Sequence, residues 1–364
     1  MFKIIISNAK KYIANDNKKW FDNDAREIIA WLGEYSDSKN SQTAYRVVVL
    51  RFYMWMRHNK LELKDISKKN IYDYIHFVRD PYAEWCGNRS KMTNQNWKPF
   101  YKPLSPKSIK YNMQIIKQMF IELHQSGYLD RNPFYFQIKL ASQIKDLPQE
   151  RYLTVDEFGL IDCYISSELP DNTYHEQEIK TRTRWIFKAL IYTACRRSEI
   201  ATATMSDIIL KNGRFWLKII GKGNKYGEIP VLPELERALN EYRAFYGLPP
   251  VDKRIHSEHH IPLIIKTFRN NEYLKMHNGH LWYIVKRICA KIANKLADEV
   301  LSDKLKSVTT HWLRHTSATI QVDSGIDIRV VQRNLRHSSI VTTMQYQHVA
   351  QDKQFDETAL KFKI

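Results

Sequence analysis

Three short segments of this chain concentrate side chains able to hold and attack a phosphodiester. The first, Thr193-Ala194-Cys195-Arg196-Arg197-Ser198-Glu199-Ile200, sets two guanidiniums close to a carboxylate. In the second, His311-Trp312-Leu313-Arg314-His315, the residues His311, Arg314 and His315 fall at offsets of three and four, on one face of a helix. The third, Leu335-Arg336-His337-Ser338-Ser339-Ile340, is followed nine residues past its histidine by Tyr346. A guanidinium offers a planar fork of donors that matches phosphate oxygens. An imidazole exchanges protons near neutral pH, and a phenolate can keep a phosphoryl group as a covalent ester. Taken singly, each segment has a plain structural reading: a solvated arginine, a packed histidine, one of 21 tyrosines. Their combination is what carries weight.

Composition points the same way. Among 364 residues, 57 Lys and Arg stand against 39 Asp and Glu, a formal net charge of +18. An enzyme acting on a neutral substrate has no need of that imbalance, whereas a protein that neutralises phosphates gains counterion release from it. The cysteines Cys86, Cys163, Cys195 and Cys289 lie far apart, which argues against disulfides and a cysteine zinc site and fits a reducing compartment. The N-terminal apolar run is broken at once by polar residues, and no segment reaches the roughly 18 apolar residues of a membrane span. A cytoplasmic location, beside the nucleoid, is therefore expected. The stretch Arg254–His260 holds three histidines and a glutamate at irregular spacing, so no metal site is expected there. No carboxylate triad stands out for two-metal nuclease chemistry.

The elements that must position these groups are mainly helical. In SQTAYRVVVLRFYMWMRHNK, the residues Tyr45, Val48, Val49, Phe52 and Met56 form one helical stripe. A second helix, capped at Ser67, carries Ile71, Tyr74, Ile75 and Val78. A third opens at Ser105-Pro106, carries Ile109, Met113, Ile116, Phe120 and Leu123 inward, and should stop near Gly127. Between the last two lies an aperiodic stretch from Trp85 to Ser105, rich in basic and aromatic residues, which reads as a surface loop. Residues 136–152 read as a linker. Leu153-Thr154-Val155-Asp156-Glu157-Phe158 then has the form of a capping box, with Leu153 and Phe158 as its staple. Asp207–Leu232 alternates apolar and polar residues around Asn212-Gly213 and Gly221–Asn224, the pattern of one small antiparallel sheet. Helical spacing resumes after about residue 272.

Arg-x-x-Glu, Gly-Lys-Gly in a hairpin, His-x-Leu-Arg-His, and Leu-x-His-Ser-Ser with a tyrosine nine on resemble, in that order, the tyrosine recombinases, or phage integrases. TACRRSEI stands where the family has Thr-Gly-Leu-Arg-x-Ser-Glu-Leu; IIGKGNKYGEIPV matches the hairpin bearing the family's lysine, here Lys222; HWLRH and LRHSSIVTTMQYQH supply the rest. Departures are Ala194 and Cys195 for the usual glycine and leucine, and Arg336 for the usual glycine before His337. None removes a functional group.

The resemblance implies a mainly α fold: a helical core-binding domain over residues 22–135, and a mostly helical catalytic domain with a small antiparallel sheet over residues 153–346. An N-terminal extension, 1–21, and a tail, 347–364, would flank them; the tail holds Phe355, Leu360 and Phe362 and can contact a neighbouring protomer. It further implies that Tyr346 attacks the scissile phosphate of double-stranded DNA, with Arg196, Arg314 and His337 stabilising charge. Lys222 would protonate the leaving 5′-oxygen, and His311 would take the tyrosine proton. Glu199 would orient Arg196 or His311, and His315 would pack beneath the site. Neither metal nor cofactor is called for, and four protomers would assemble on DNA, for integration or excision of a mobile element. A catalytically silent DNA-binding regulator and a type IB topoisomerase-like enzyme are the alternatives.

Overall fold

Helices form where apolar stripes meet capping side chains. In the computed structural model, which describes residues 22–92, 94–136, 138, 151–221, 226–254 and 257–346, the chain separates into two units, Met1–Pro148 and Gln149–Ile364. The first unit holds α1 (Asn23–Gly33), α2 (Lys39–His58), α3 (Lys68–Arg79) and α4 (Pro106–Gln125). Asp22, Ser67 and Ser105 each accept a first-turn backbone N–H, so the orphan donors of three helix starts are satisfied locally. The expected stripes face a common core in which Phe52, Ile71, Tyr74, Ile116 and Phe120 are fully buried. The chain leaves α4 through Gly127, whose positive φ of 79° suits a residue without a side chain.

The stretch from Trp85 to Ser105 is not a loose surface loop. Trp85, Trp97 and Phe100 are buried, and Phe100 exchanges backbone hydrogen bonds with Trp85 and Gly87. The Arg51 guanidinium lies 4.8 Å from the Phe100 ring. Aromatic area, which dominates burial energetics, draws this aperiodic segment onto the core.

The second unit opens as a capping box: Thr154 accepts from the Glu157 N–H, and the Glu157 carboxylate accepts from that of Thr154. Leu153 beside it is fully buried, its N–H donating to Thr316 Oγ1 at 2.9 Å. The order is α5 (Val155–Ser167), α6 (Tyr174–Thr193), α7 (Arg197–Thr202), β1 (Ile208–Lys211), β2 (Arg214–Ile220), β3 (Tyr226–Pro230), α8 (Pro233–Phe245), β4 (Ile265–Arg269), β5 (Glu272–Lys275), α9 (Asn278–Ala293), α10 (Glu299–Ser307), α11 (Thr310–Asp323), α12 (Ile328–Leu335) and α13 (Ile340–Met344). Strands β1, β2 and β3 form the expected antiparallel sheet, with Asn212 and Gly213 both at positive φ in its first turn. Lys222, in the sequence between β2 and β3, lies outside the described residues, as do the N-terminal extension, most of the linker and the tail after Tyr346.

A second sheet, β4 with β5, was not expected from the sequence. Its turn, Asn270-Asn271, has φ of 51° and 61°, a conformation that asparagine tolerates, and that pair was the available signal. Arg243, in the last turn of α8, is fully buried, and its guanidinium meets the carboxylate of Glu258, in the segment between α8 and β4, through two bonds of 2.7 and 2.8 Å. The glutamate of the His-rich stretch is thus committed to an ion pair. Among the described residues, no helix is long and apolar enough to cross a membrane.

Candidate active site

Arg314 joins the three chemistry-bearing segments. It sits on α11, which starts at Thr309, whose side chain accepts from the His311 N–H. Only 2% exposed, Arg314 gives Nη1–H to the carbonyl of Ala194 at 2.5 Å and Nη2–H to that of Leu335. Residue 194 precedes Arg196, and residue 335 precedes Arg336 and His337, so one guanidinium pins both segments to α11. Those bonds use two of the five N–H groups an arginine carries. Burial, with Arg196 and Arg336 alongside, brings the Arg314 guanidinium down to about 10; it remains charged at neutral pH.

The two family departures at glycine positions acquire a physical meaning here. Ala194 terminates α6 with φ 49°, and Arg336 terminates α12 with φ 54°. Both are left-handed helix ends, where glycine is the least strained residue.

Arg196 begins α7. Its Nη1–H meets Glu199 Oε1 at 2.8 Å, and its backbone N–H meets Oε2 at 2.7 Å. The Arg196 side chain is 43% exposed while that of Glu199 is 3% exposed, so the carboxylate is a buried anchor and the guanidinium projects outward. Arg336 Nη2–H, also at 2.7 Å, completes Oε2. Burial pushes Glu199 up, but the Arg336 charge and the bonds from Arg196 outweigh it and hold the carboxyl below its ordinary value.

Around Tyr346 the imidazoles gather. The His337 ring lies 6.2 Å from the tyrosine ring, nearly parallel at 12°, and His315 lies 5.3 Å away. His311 stacks on His315 at 4.4 Å. His337 Nδ1 is 2.9 Å from Oγ1 of the fully buried Thr343. Burial first, then neighbouring positive charge, pulls His315 and His337 down to about 4 each; His311, although exposed at its surface, is lowered too by partial desolvation and by the charges of Arg314 and Arg196. At neutral pH these rings are uncharged. Tyr346 itself is 3% exposed, packed with Ala194, Ala318, Val331 and Leu335. Burial raises its phenol, which Arg314 and Arg196 partly offset.

Of the sequence-derived residues, Arg196, Glu199, His311, Arg314, His315, His337 and Tyr346 fall within one connected group. The His315 ring packs 5.3 Å from that of Tyr346, and Arg197 is half-buried. Lys222 is outside the described residues. Reasoning from sequence did not single out Thr343, which fixes the His337 ring, or the bond from Arg336 to Glu199. The unusual arginine at 336 was a signal for the second; nothing local marked the first.

A family model described as the phage integrase family matches residues 168–353. The tyrosine recombinase XerC of Thermodesulfovibrio yellowstonii is 28% identical over 312 residues, 82% of this chain and 92% of its own length. Among solved structures, the XerH site-specific recombinase bound to a palindromic difH substrate aligns with a TM-score of 0.64 at 16% identity, over 99% of this chain and 94% of that one. The Tn1549 transposon integrase in complex with a circular intermediate DNA aligns at 0.62 and 17% identity, over 92% of this chain and 98% of that one. At these identities the solved structures share a fold with the chain, mostly helical with small antiparallel sheets.

Proposed function

The chain belongs to the phage integrase family, the tyrosine recombinases, and we propose that it cuts and rejoins double-stranded DNA at specific sites through a 3′-phosphotyrosyl intermediate on Tyr346. The observation that carries this is the joining of Arg314 to both the Arg196 and the His337–Tyr346 segments through the Ala194 and Leu335 carbonyls.

Tyr346 Oη attacks the scissile phosphorus and the bond to the 5′-oxygen breaks. The phosphoryl group stays on the tyrosine as an ester whose energy is conserved, so a 5′-hydroxyl of the partner strand can reverse the step without ATP or metal. Arg196 and Arg314 meet the phosphate oxygens as charge develops. In the neutral tautomer in which Thr343 donates to Nδ1, the Nε2–H of His337 is a third donor. A neutral imidazole takes the phenol proton. His311 is our assignment, and His315, nearer the tyrosine ring, is its rival; replacing each by Gln separates them. Lys222, assigned from the hairpin motif, protonates the leaving oxygen. The +18 charge supplies phosphate affinity. By analogy with the family, four copies act on two sites, for integration or excision of a mobile element.

The test is a covalent protein–DNA adduct on a denaturing gel. DNA selected from a genomic library supplies the site, a nicked suicide substrate traps the intermediate, and EDTA is present throughout. Wild type should form the adduct and Tyr346→Phe should not. Specific binding without an adduct from either would indicate a silent DNA-binding regulator. Relaxation of supercoiled DNA without partner exchange would indicate topoisomerase-like action.

A further inference from the structure

Arg336 occupies its position under three adverse conditions. Its backbone is left-handed, at φ 54° and ψ 43°, where a side chain is disfavoured. Its Nε is buried with no hydrogen-bond partner among the described residues. And β3 must keep Gly227 opposite it: a Cβ there would come within 2.6 Å of Arg336 Cδ and 3.1 Å of Cγ. A residue held against local preference by its surroundings is a reason to look for a function.

What the side chain gains is one carboxylate. Arg336 Nη2–H lies 2.7 Å from Glu199 Oε2, and Nη1–H donates to the Asn334 carbonyl at 2.9 Å. The Arg336 side chain is 11% exposed and that of Glu199 3% exposed, so the pair is little screened. Glu199 Oε2 also receives the Arg196 N–H, and Oε1 receives the Arg196 guanidinium. With Arg336 removed, the buried carboxylate would keep only the outward-facing Arg196 as a close partner, and its ionised form would be poorly supported. The charged and titratable groups around Glu199 are Arg196, Arg336, Arg314 and the Cys195 thiol. Of these, Arg336 and Arg196 bond the carboxylate directly.

We propose that Arg336 is a positioning residue: through Glu199 it holds the Arg196 guanidinium at the angle from which it meets the scissile phosphate, and Gly227 is the space reserved for it. This rests on the strand-cleavage reading above. The consequence is a chain of three side chains, Arg336, Glu199 and Arg196, running from the end of α12 to the start of α7 beside Gly227 of β3.

The test uses the full-length protein and the suicide substrate. Arg336→Gln is expected to slow single-turnover adduct formation at saturating DNA about tenfold, with DNA affinity within about twofold. Because Glu199 then titrates closer to neutrality, the deficit should shrink as pH rises from about pH 6 to about pH 8.5, a profile that a mere packing defect does not produce. Arg336→Lys should recover part of the rate. Arg336→Gly, favoured by the left-handed backbone, serves where Arg336→Gln folds poorly. Independently of catalysis, Gly227→Ala should lower the urea midpoint of the wild-type protein and leave that of Arg336→Gly unchanged.

Wild-type rates from folded Arg336→Gln and Arg336→Gly across that pH range would overturn the positioning role while the cleavage reading stood. An equal effect of Gly227→Ala in both backgrounds would overturn the reserved space. No adduct from the wild-type protein would overturn the cleavage reading and the positioning role with it, and the urea cycle would still decide the packing.

Discussion

Replacing Glu258 by Gln removes half of a buried ion pair while keeping its shape. Arg243 is fully buried, and its Nη1 and Nη2 meet Glu258 at 2.7 and 2.8 Å; its Nε–H donates to the Pro249 carbonyl at 2.7 Å. A further cation, Arg254, is 3.9 Å from the same carboxylate, so the variant leaves a buried positive charge with another beside it. Breaking a buried pair on one side costs about 3–5 kcal/mol, a large part of the roughly 5–15 kcal/mol that holds a domain together. With a urea dependence near 2–3 kcal/mol per molar, the midpoint should fall by about 1–2.5 M. Urea unfolding followed by circular dichroism measures it, and amide exchange along α8 assigns the loss to this unit. Removing both charges together, Arg243→Met with Glu258→Leu, should stay within about 2 kcal/mol of wild type. Adduct formation per folded molecule should be unchanged by Glu258→Gln. A loss below about 1 kcal/mol, or a double variant weaker than the single one, would refute this account of the segment between α8 and β4.

Other consequences are as direct. Ala194→Gly should raise stability by about 0.5–1 kcal/mol in urea, since φ of 49° is strained for alanine; a decrease would contradict the left-handed assignment. His315 and His337, held to about 4 from 6.5, bind a proton more readily when unfolded. Stability should therefore be full above about pH 6.5 and decline as pH falls toward about 4, by about 1–2 kcal/mol per ring after discounting for partial exposure. If His337→Gln leaves the slope of urea midpoint against pH unchanged in that window, the assignment fails. Trp85→Ala should cost about 3–5 kcal/mol in the first unit, because the ring is 1% exposed; thermal melts showing under about 1 kcal/mol would return that stretch to the surface.

Much of this molecule was legible without coordinates, and the reason is range. Helix starts at Ser67, Ser105 and Thr154 are fixed by bonds spanning three residues, and the stripes through Phe52, Ile71 and Ile116 repeat at the helical period. The Asn212-Gly213 turn is equally local. The order and spacing of Arg196, His311, Arg314, His337 and Tyr346 was enough to name a family and nominate a site. Tertiary structure decided what no window could hold. Arg314 reaches the Ala194 carbonyl across 120 residues, and Arg336 reaches Glu199 across 137. The Arg243–Glu258 pair makes an irregular His-rich stretch into a clamp, and aromatic burial turns a loop into core. Whether an arginine is a solvated charge or a buried joint depends on the partner that arrives from elsewhere in the chain, because burial makes an unpaired charge intolerable and a paired one directional.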